Sequence, residues 1–97
     1  MKIGIAGVGG IGSNVAMHLV RAGWGAIKLV DFDCVEQSNL NRQFYFADQV
    51  GGDKVEMLRE NLLRILPEAT IEAEKLRLTP ENMLDMFREC RLLVEGF

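Results

Sequence analysis

A run of glycines, two aspartates and two cations carry the chemistry this sequence offers. "GVGGIG", residues 7–12, fits the spacing G-x-G-x-x-G. Between a strand and a helix, each glycine of that spacing has a task. Gly7 permits a tight turn, Gly9 lets the main chain approach an anion, and Gly12 lets the helix pack on the strand. Gly10 lies in the same turn, ahead of a helix whose unpaired N–H groups and partial positive charge suit a phosphate. Asp31 follows Gly12 by nineteen residues, where a carboxylate can accept hydrogen bonds from ribose hydroxyls. This pair suits a nicotinamide dinucleotide and ATP equally.

The next stretch separates the two. "SNLNRQFYF", residues 38–46, is too polar for a core strand and too aromatic for an ordinary loop. It brings Ser38, Asn39, Arg42 and Gln43, with Asp33 just upstream, close to the end of the strand that carries Asp31. Lys54 then opens the following helix. A cation is misplaced at a helix N-terminus unless an anion lies beside it. Arg42 offers a planar fork for phosphate and Lys54 a point charge. Both suit a triphosphate, and neither has an obvious use near a nicotinamide. Asn39 and Asn41 could equally be turn formers. Residues 44–46, "FYF", either stack on an adenine or anchor the polar loop to the sheet.

The elements that must position these residues alternate. "KIGIA" (2–6) reads as a buried strand, and residues 13 to about 22 as a helix ended by Gly23 and Gly25. "AIKLVD" (26–31) is a second strand. A second helix starts near Asp53, which with Glu56 has capping-box spacing. Val55, Leu58, Leu62 and Ile65 form its apolar face. "ATIEAEKL" (69–76) alternates as a third strand. Thr79–Pro80 starts a third helix striped by Met83, Phe87 and Cys90. "LLVEGF" (92–97) is a fourth strand. This order predicts an α/β, Rossmann-like fold: a mainly parallel sheet of about four strands flanked by helices. His18 falls off the first helix's apolar face, and Trp24 reads as packing.

At 97 residues the chain is one domain at most. Its net charge of −3 argues against bulk nucleic-acid binding. No apolar run is long enough to span a membrane, and no secretory signal is evident. Cys34 and Cys90 form no C-x-x-C and read as free thiols of a cytoplasmic protein. Cys34, beside Asp33, is read as a bystander.

"GVGGIGS", "LVDFDCVEQSNLNRQ" and "GGDKVE", in that order and spacing, resemble the ThiF/MoeB family of sulfur-carrier-protein adenylyltransferases, related to ubiquitin-activating enzymes. The resemblance covers the whole chain, and "RQFYF" is most similar to the ThiF-like branch of thiamine biosynthesis. It implies that the C-terminal Gly-Gly carboxylate of a ubiquitin-like sulfur carrier attacks the α-phosphate of ATP, giving an acyl-adenylate and pyrophosphate. It implies nucleotide contacts by Gly7, Gly9, Gly10, Gly12, Asp31, Asp33, Ser38, Asn39, Arg42 and Lys54, with Arg42 and Lys54 in the catalytic roles on phosphate. Asp33 either helps a metal or orders Arg42. The family's Mg²⁺-holding aspartate would follow Phe97, so the metal site is expected to be incomplete within the chain. Residues 1–97 then correspond to the ATP-binding half of an adenylation domain, incomplete at its C-terminus and inactive alone. Exposed sheet edges predict a homodimer. Two other readings stand beside this one: an NAD-binding oxidoreductase domain, and a non-catalytic nucleotide-binding or assembly module.

Overall fold

A computed structural model describes residues 1–96. Phe97, and the metal carboxylate expected after it, lie outside the described residues. β1 (Lys2–Ala6), α1 (Gly10–Arg21), β2 (Ala26–Asp31), α2 (Lys54–Ile65), β3 (Thr70–Lys75), α3 (Pro80–Met86) and β4 (Cys90–Glu95) alternate as the pattern predicts. The four strands pair in parallel in the order β3-β2-β1-β4. Ile5 stands beside Leu29 on one side and Val94 on the other. Two short 3₁₀ turns, Gln37–Asn39 and Ala47–Gln49, shape the long connection between β2 and α2.

Strand alternation sorts the core onto two faces. Ile3, Ile5, Ile27, Leu29 and Ile71 pack with Ala16 and Val20 of α1 and Leu58 and Leu62 of α2. Burying each such large aliphatic contributes about 1.5–3 kcal/mol, and this face holds most of them. The opposite face is thinner, with Ala6 and Val30 against Phe87, Met83 and Met86. A Cβ on Gly4 would overlap the Phe87 ring, so the absent side chain is what lets that ring lie on the sheet.

Helix ends follow local chemistry, with three departures from expectation. α1 starts at Gly10 rather than Ser13, so the glycine turn supplies the helix's own first turn. It stops where Gly23 takes φ +93°, a left-handed conformation that favours glycine. Trp24 is partly buried and donates to the Ala26 carbonyl, and His18 is exposed. α3 is capped by Thr79, whose hydroxyl accepts from the Asn82 amide, with Pro80 next. α2 has no such cap. Asp53 makes no side-chain bond to its helix; its carboxylate pairs instead with Lys75 at 2.9 Å. Cys90 is not part of α3 but opens β4, which therefore starts two residues earlier than the pattern suggested.

No helix among the described residues is long and apolar enough to cross a membrane.

Candidate functional site

The carboxyl ends of β1 and β2 and the start of α1 meet at one end of the sheet. Here β1 has β2 on one side and β4 on the other, so the chain diverges about the glycine turn, the usual place for a ligand in an open α/β sheet. The turn is pinned by main chain from both neighbours. Gly7 N–H donates to Val30 O at 2.9 Å, and Gly96 N–H donates to Ala6 O at 2.7 Å. Gly7 has φ +89°. A Cβ on Gly12 would overlap the Gly7 carbonyl oxygen, whereas one on Gly10 would meet nothing within 4 Å. Gly12 is therefore required by packing, and Gly10 faces open space. One on Gly9 would approach only the Gln43 carboxamide, at 3.8 Å.

Ser13 N–H donates to Gly9 O. The four N–H groups before it, of Gly9, Gly10, Ile11 and Gly12, have no partner among the described residues. No acidic side chain occupies the first turn of α1, and its N-cap is a glycine. Orphan donors of this kind are an anion site in waiting.

Asp31 is buried, and its carboxylate closes the turn rather than standing free. Oδ2 accepts from Val8 N–H at 2.9 Å; Oδ1 accepts from the N–H groups of Phe32 (2.7 Å) and Asp33 (3.1 Å). With two acceptor sites per oxygen, the open site is on Oδ2. Asp33 is exposed beside it, and its carbonyl accepts the Lys54 N–H at 3.0 Å.

Lys54 is only 6% exposed, yet its ammonium has no hydrogen bond or ion pair among the described residues. Its stem is packed inside while its ammonium keeps contact with solvent, and ordering that long side chain costs conformational freedom. Here the helix dipole adds to that cost. Arg42 is exposed; Nη1 donates to Ser38 O (2.9 Å) and Asn41 Oδ1 (3.1 Å), which leaves Nε and Nη2 unengaged among the described residues. Asn39 is a structural residue: buried, it accepts the Glu36 N–H on Oδ1, and its carbonyl accepts from Arg42 and Gln43. Ser38 lies exposed at the surface of the same turn.

The structure thus brings Gly9, Gly10, Asp31 and the loop of Arg42 into one neighbourhood, with Lys54 tied by its backbone to Asp33. The chain also fits descriptions of known proteins. The model of the ThiF family matches residues 1–97.

The chain belongs to the ThiF family.

It is 35% identical over 96 residues to a probable adenylyltransferase/sulfurtransferase, MoeZ, of Mycobacterium tuberculosis, covering 98% of this chain and 24% of that protein. It is 39% identical over 93 residues to the sulfur carrier protein adenylyltransferase of Thermus thermophilus, covering 95% of this chain and 34% of that one. Among solved structures, the E. coli tRNA N6-threonylcarbamoyladenosine dehydratase TcdA in complex with AMP superposes with a TM-score of 0.92 at 34% identity, over 97% of this chain and 39% of that one. The ThiF-family chain therefore spans about a quarter to two fifths of the length of these relatives.

Several hydrogen bonds of this ThiF-family site carried no signal in the sequence. Asn14 Nδ2 donates to Gly10 O and to Arg42 O, and Ser13 Oγ accepts the Phe44 N–H at 3.1 Å. Tyr45, buried, donates its hydroxyl to Val8 O at 2.6 Å; burial, then the nearby Asp31 charge, raises its pKa far above the ordinary phenol range. Asn61 of α2 exchanges amide hydrogen bonds with Gln49 and donates to Phe44 O. Of the three aromatics, Phe44 and Tyr45 anchor the loop to the core, and Phe46 stands exposed, edge-on to Phe44.

The second pair of titrating groups lies nearby. Cys34, exposed, donates to Asp53 Oδ1 at 3.7 Å, and the hydrogen bond from Lys75 holds the Asp53 carboxyl below its usual range. The stabilisation from that pair is present at neutral pH and is lost as pH falls through the depressed carboxyl pKa; both partners are solvent-exposed, so salt screens it. Cys90 lies away from this end, at the start of β4, where burial pushes its thiol up.

Proposed function

We propose that this chain is the nucleotide-binding half of an enzyme that adenylates a carboxylate with ATP. The observation that carries the reading is the glycine turn's four amides without a partner among the described residues, together with Lys54 at the start of α2, a cation that has no partner among them either. A polyphosphate answers both. Arg42 adds a fork at the loop, and the open acceptor site of Asp31 Oδ2 suits one ribose hydroxyl. Ser38 and Asp33 lie exposed in the same connection between β2 and α2; Asn39 holds the loop that carries Arg42. The NAD alternative explains the glycine turn, where its pyrophosphate would lie, and Asp31, but it offers two phosphates rather than three to share among the turn, Arg42 and Lys54.

Chemically, the nucleophile is already ionised. A substrate carboxylate oxygen attacks the α-phosphorus, the bond to the bridging oxygen breaks, and pyrophosphate leaves with that electron pair. No general base is required; alignment and neutralisation of phosphate charge are. The amides of Gly9 and Gly10, with Lys54 and Arg42, supply these. Mg²⁺ would add positive charge at the triphosphate. The described residues contain no group of three metal-ligating side chains, but Mg²⁺ is commonly held by one or two carboxylates together with phosphate oxygens, and Asp33 is a suitable carboxylate.

The substrate we infer is the Gly-Gly carboxylate of a ubiquitin-like sulfur carrier, in a cytoplasmic setting; the names of MoeZ and of the Thermus adenylyltransferase support this class. Calorimetric titration tests the nucleotide reading. Mg·ATP should bind more tightly than NAD, and Arg42→Ala should weaken ATP by about tenfold, as loss of one charge-assisted hydrogen bond does. Tighter binding of NAD overturns it. Pyrophosphate exchange dependent on a Gly-Gly-ended carrier tests the substrate class.

We also infer self-association. Ile11, Leu84, Leu92 and Leu93 are exposed, and β3 and β4 present open edges. Sedimentation at micromolar concentration should give a dimer; a monomer defeats this part of the proposal.

A further inference from the structure

The Val8 peptide units are gripped from both sides. Val8 N–H goes to Asp31, and Val8 C=O receives the Tyr45 hydroxyl at 2.6 Å in a buried setting. All described peptide bonds are trans. In a trans peptide the N–H and C=O point in opposite directions. The hydroxyl therefore draws the Val8 carbonyl toward the core, and the same peptide unit must aim the Gly9 N–H the other way. That N–H has no partner among the described residues. By the same logic, Asp31 turns the Gly7 carbonyl away from itself and over Gly12, where a Cβ would overlap it.

We propose that Tyr45 is a positioning residue: its hydroxyl fixes the Val8–Gly9 peptide so that the Gly9 amide presents to a nucleotide phosphate. Tyr45 does not touch the nucleotide and acts through the glycine turn. It sits three residues after Arg42, in the segment whose backbone is stitched to α1 by Ser13 and Asn14. One loop thus delivers a guanidinium to the site and sets the orientation of the amide. Phenylalanine at position 45 would keep the ring's packing and the loop's other ties, but would free the Val8 carbonyl and leave it buried without a donor. The peptide could then flip to find one and withdraw the Gly9 amide.

This inference rests on the ATP-binding reading, and the test separates the two. ATP and adenosine affinities are measured for the wild type and for Tyr45→Phe, by calorimetry and NMR titration. Tyr45→Phe should lose roughly tenfold in affinity for ATP, the worth of one oriented donor on a charged acceptor, while adenosine affinity stays the same. In the wild type, the Gly9 amide proton should shift downfield with ATP and not with adenosine. Equal losses for ATP and adenosine, or unchanged ATP affinity, overturn the role of Tyr45. So does a Gly9 amide that fails to respond to ATP, a readout that stands even if the variant folds poorly. A wild type that binds no ATP overturns the functional reading and this inference together.

Discussion

Lys54→Met will raise the melting temperature of the free protein and weaken Mg·ATP binding in the same molecule. The two effects have one cause. Lys54 is 94% buried by its 6% exposure, sits at the first position of α2 and has no anionic partner among the described residues. Its charge is opposed by the positive end of the helix dipole, and its stem is held among buried neighbours while the ammonium keeps contact with solvent. Methionine has a similar unbranched shape and no charge, and the backbone bond from residue 54 to Asp33 O does not involve the side chain. Removing the charge should stabilise the free protein by about 1 kcal/mol, or roughly 4–8 °C in a domain of this size. A hydrogen bond to a charged group contributes about 1.5–3 kcal/mol, so ATP affinity should fall by roughly ten- to a hundredfold. Thermal unfolding and calorimetry read both. A melting temperature that drops like that of a core truncation would mean that Lys54 serves the fold. An unchanged ATP affinity would remove it from the site.

The opposite signs matter because a structural lysine and a ligand-binding lysine predict different things. Sequence alone raised this question, through the misplaced charge at a helix start, but could not answer it. Burial and the missing partner are properties of the folded chain. Much else was legible in the same way. The glycine spacing and the strand-to-helix context located the turn, and the alternation of elements gave a parallel sheet with helices on both faces. Periodicity also placed the apolar faces of α1 and α2.

What periodicity did not carry was long-range polar pairing. Tyr45 reaches Val8 and Asn61 reaches Phe44 across 37 and 17 residues, and no local pattern marks such bonds. Asp53 had capping-box spacing, but Lys75 at the end of β3 offers it an opposite charge, and the ion pair wins over the cap. Cys90 deceived for a different reason. Met83, Phe87 and Cys90 fall at helical intervals, yet α3 ends at Met86. Phe87 and Cys90 both lie against Gly4, where an added Cβ would come within 3.0 Å of the Cys90 sulfur. The apolar stripe continues in space after the backbone has changed from helix to strand.

Glycine-to-alanine substitutions two residues apart should move stability in opposite directions and impair nucleotide binding in both cases. At Gly12 the new Cβ overlaps the Gly7 carbonyl oxygen and comes within 3.2 Å of Ile5 Cγ2. The first obstacle is backbone, held in place by the bonds of Gly7 and Val8 to Val30 and Asp31, so no rotamer change relieves it. Either the turn or α1 must shift. We expect Gly12→Ala to cost about 3 kcal/mol, at the upper end of ordinary overpacking, and to lower the melting temperature by roughly 12–24 °C. At Gly10 the Cβ meets nothing within 4 Å, and alanine has less conformational freedom to lose on folding. Gly10→Ala should therefore stabilise the free protein by about 0.5 kcal/mol. Its methyl group would project into the open space before the orphan amides of α1, where the proposed phosphates lie, and ATP affinity should drop at least about tenfold. The pair separates what the fold requires of the turn from what the ligand requires. A Gly12→Ala protein as stable as the wild type would mean that the turn and helix can part without cost. A Gly10→Ala protein with full ATP affinity would mean that the phosphates do not approach the start of α1.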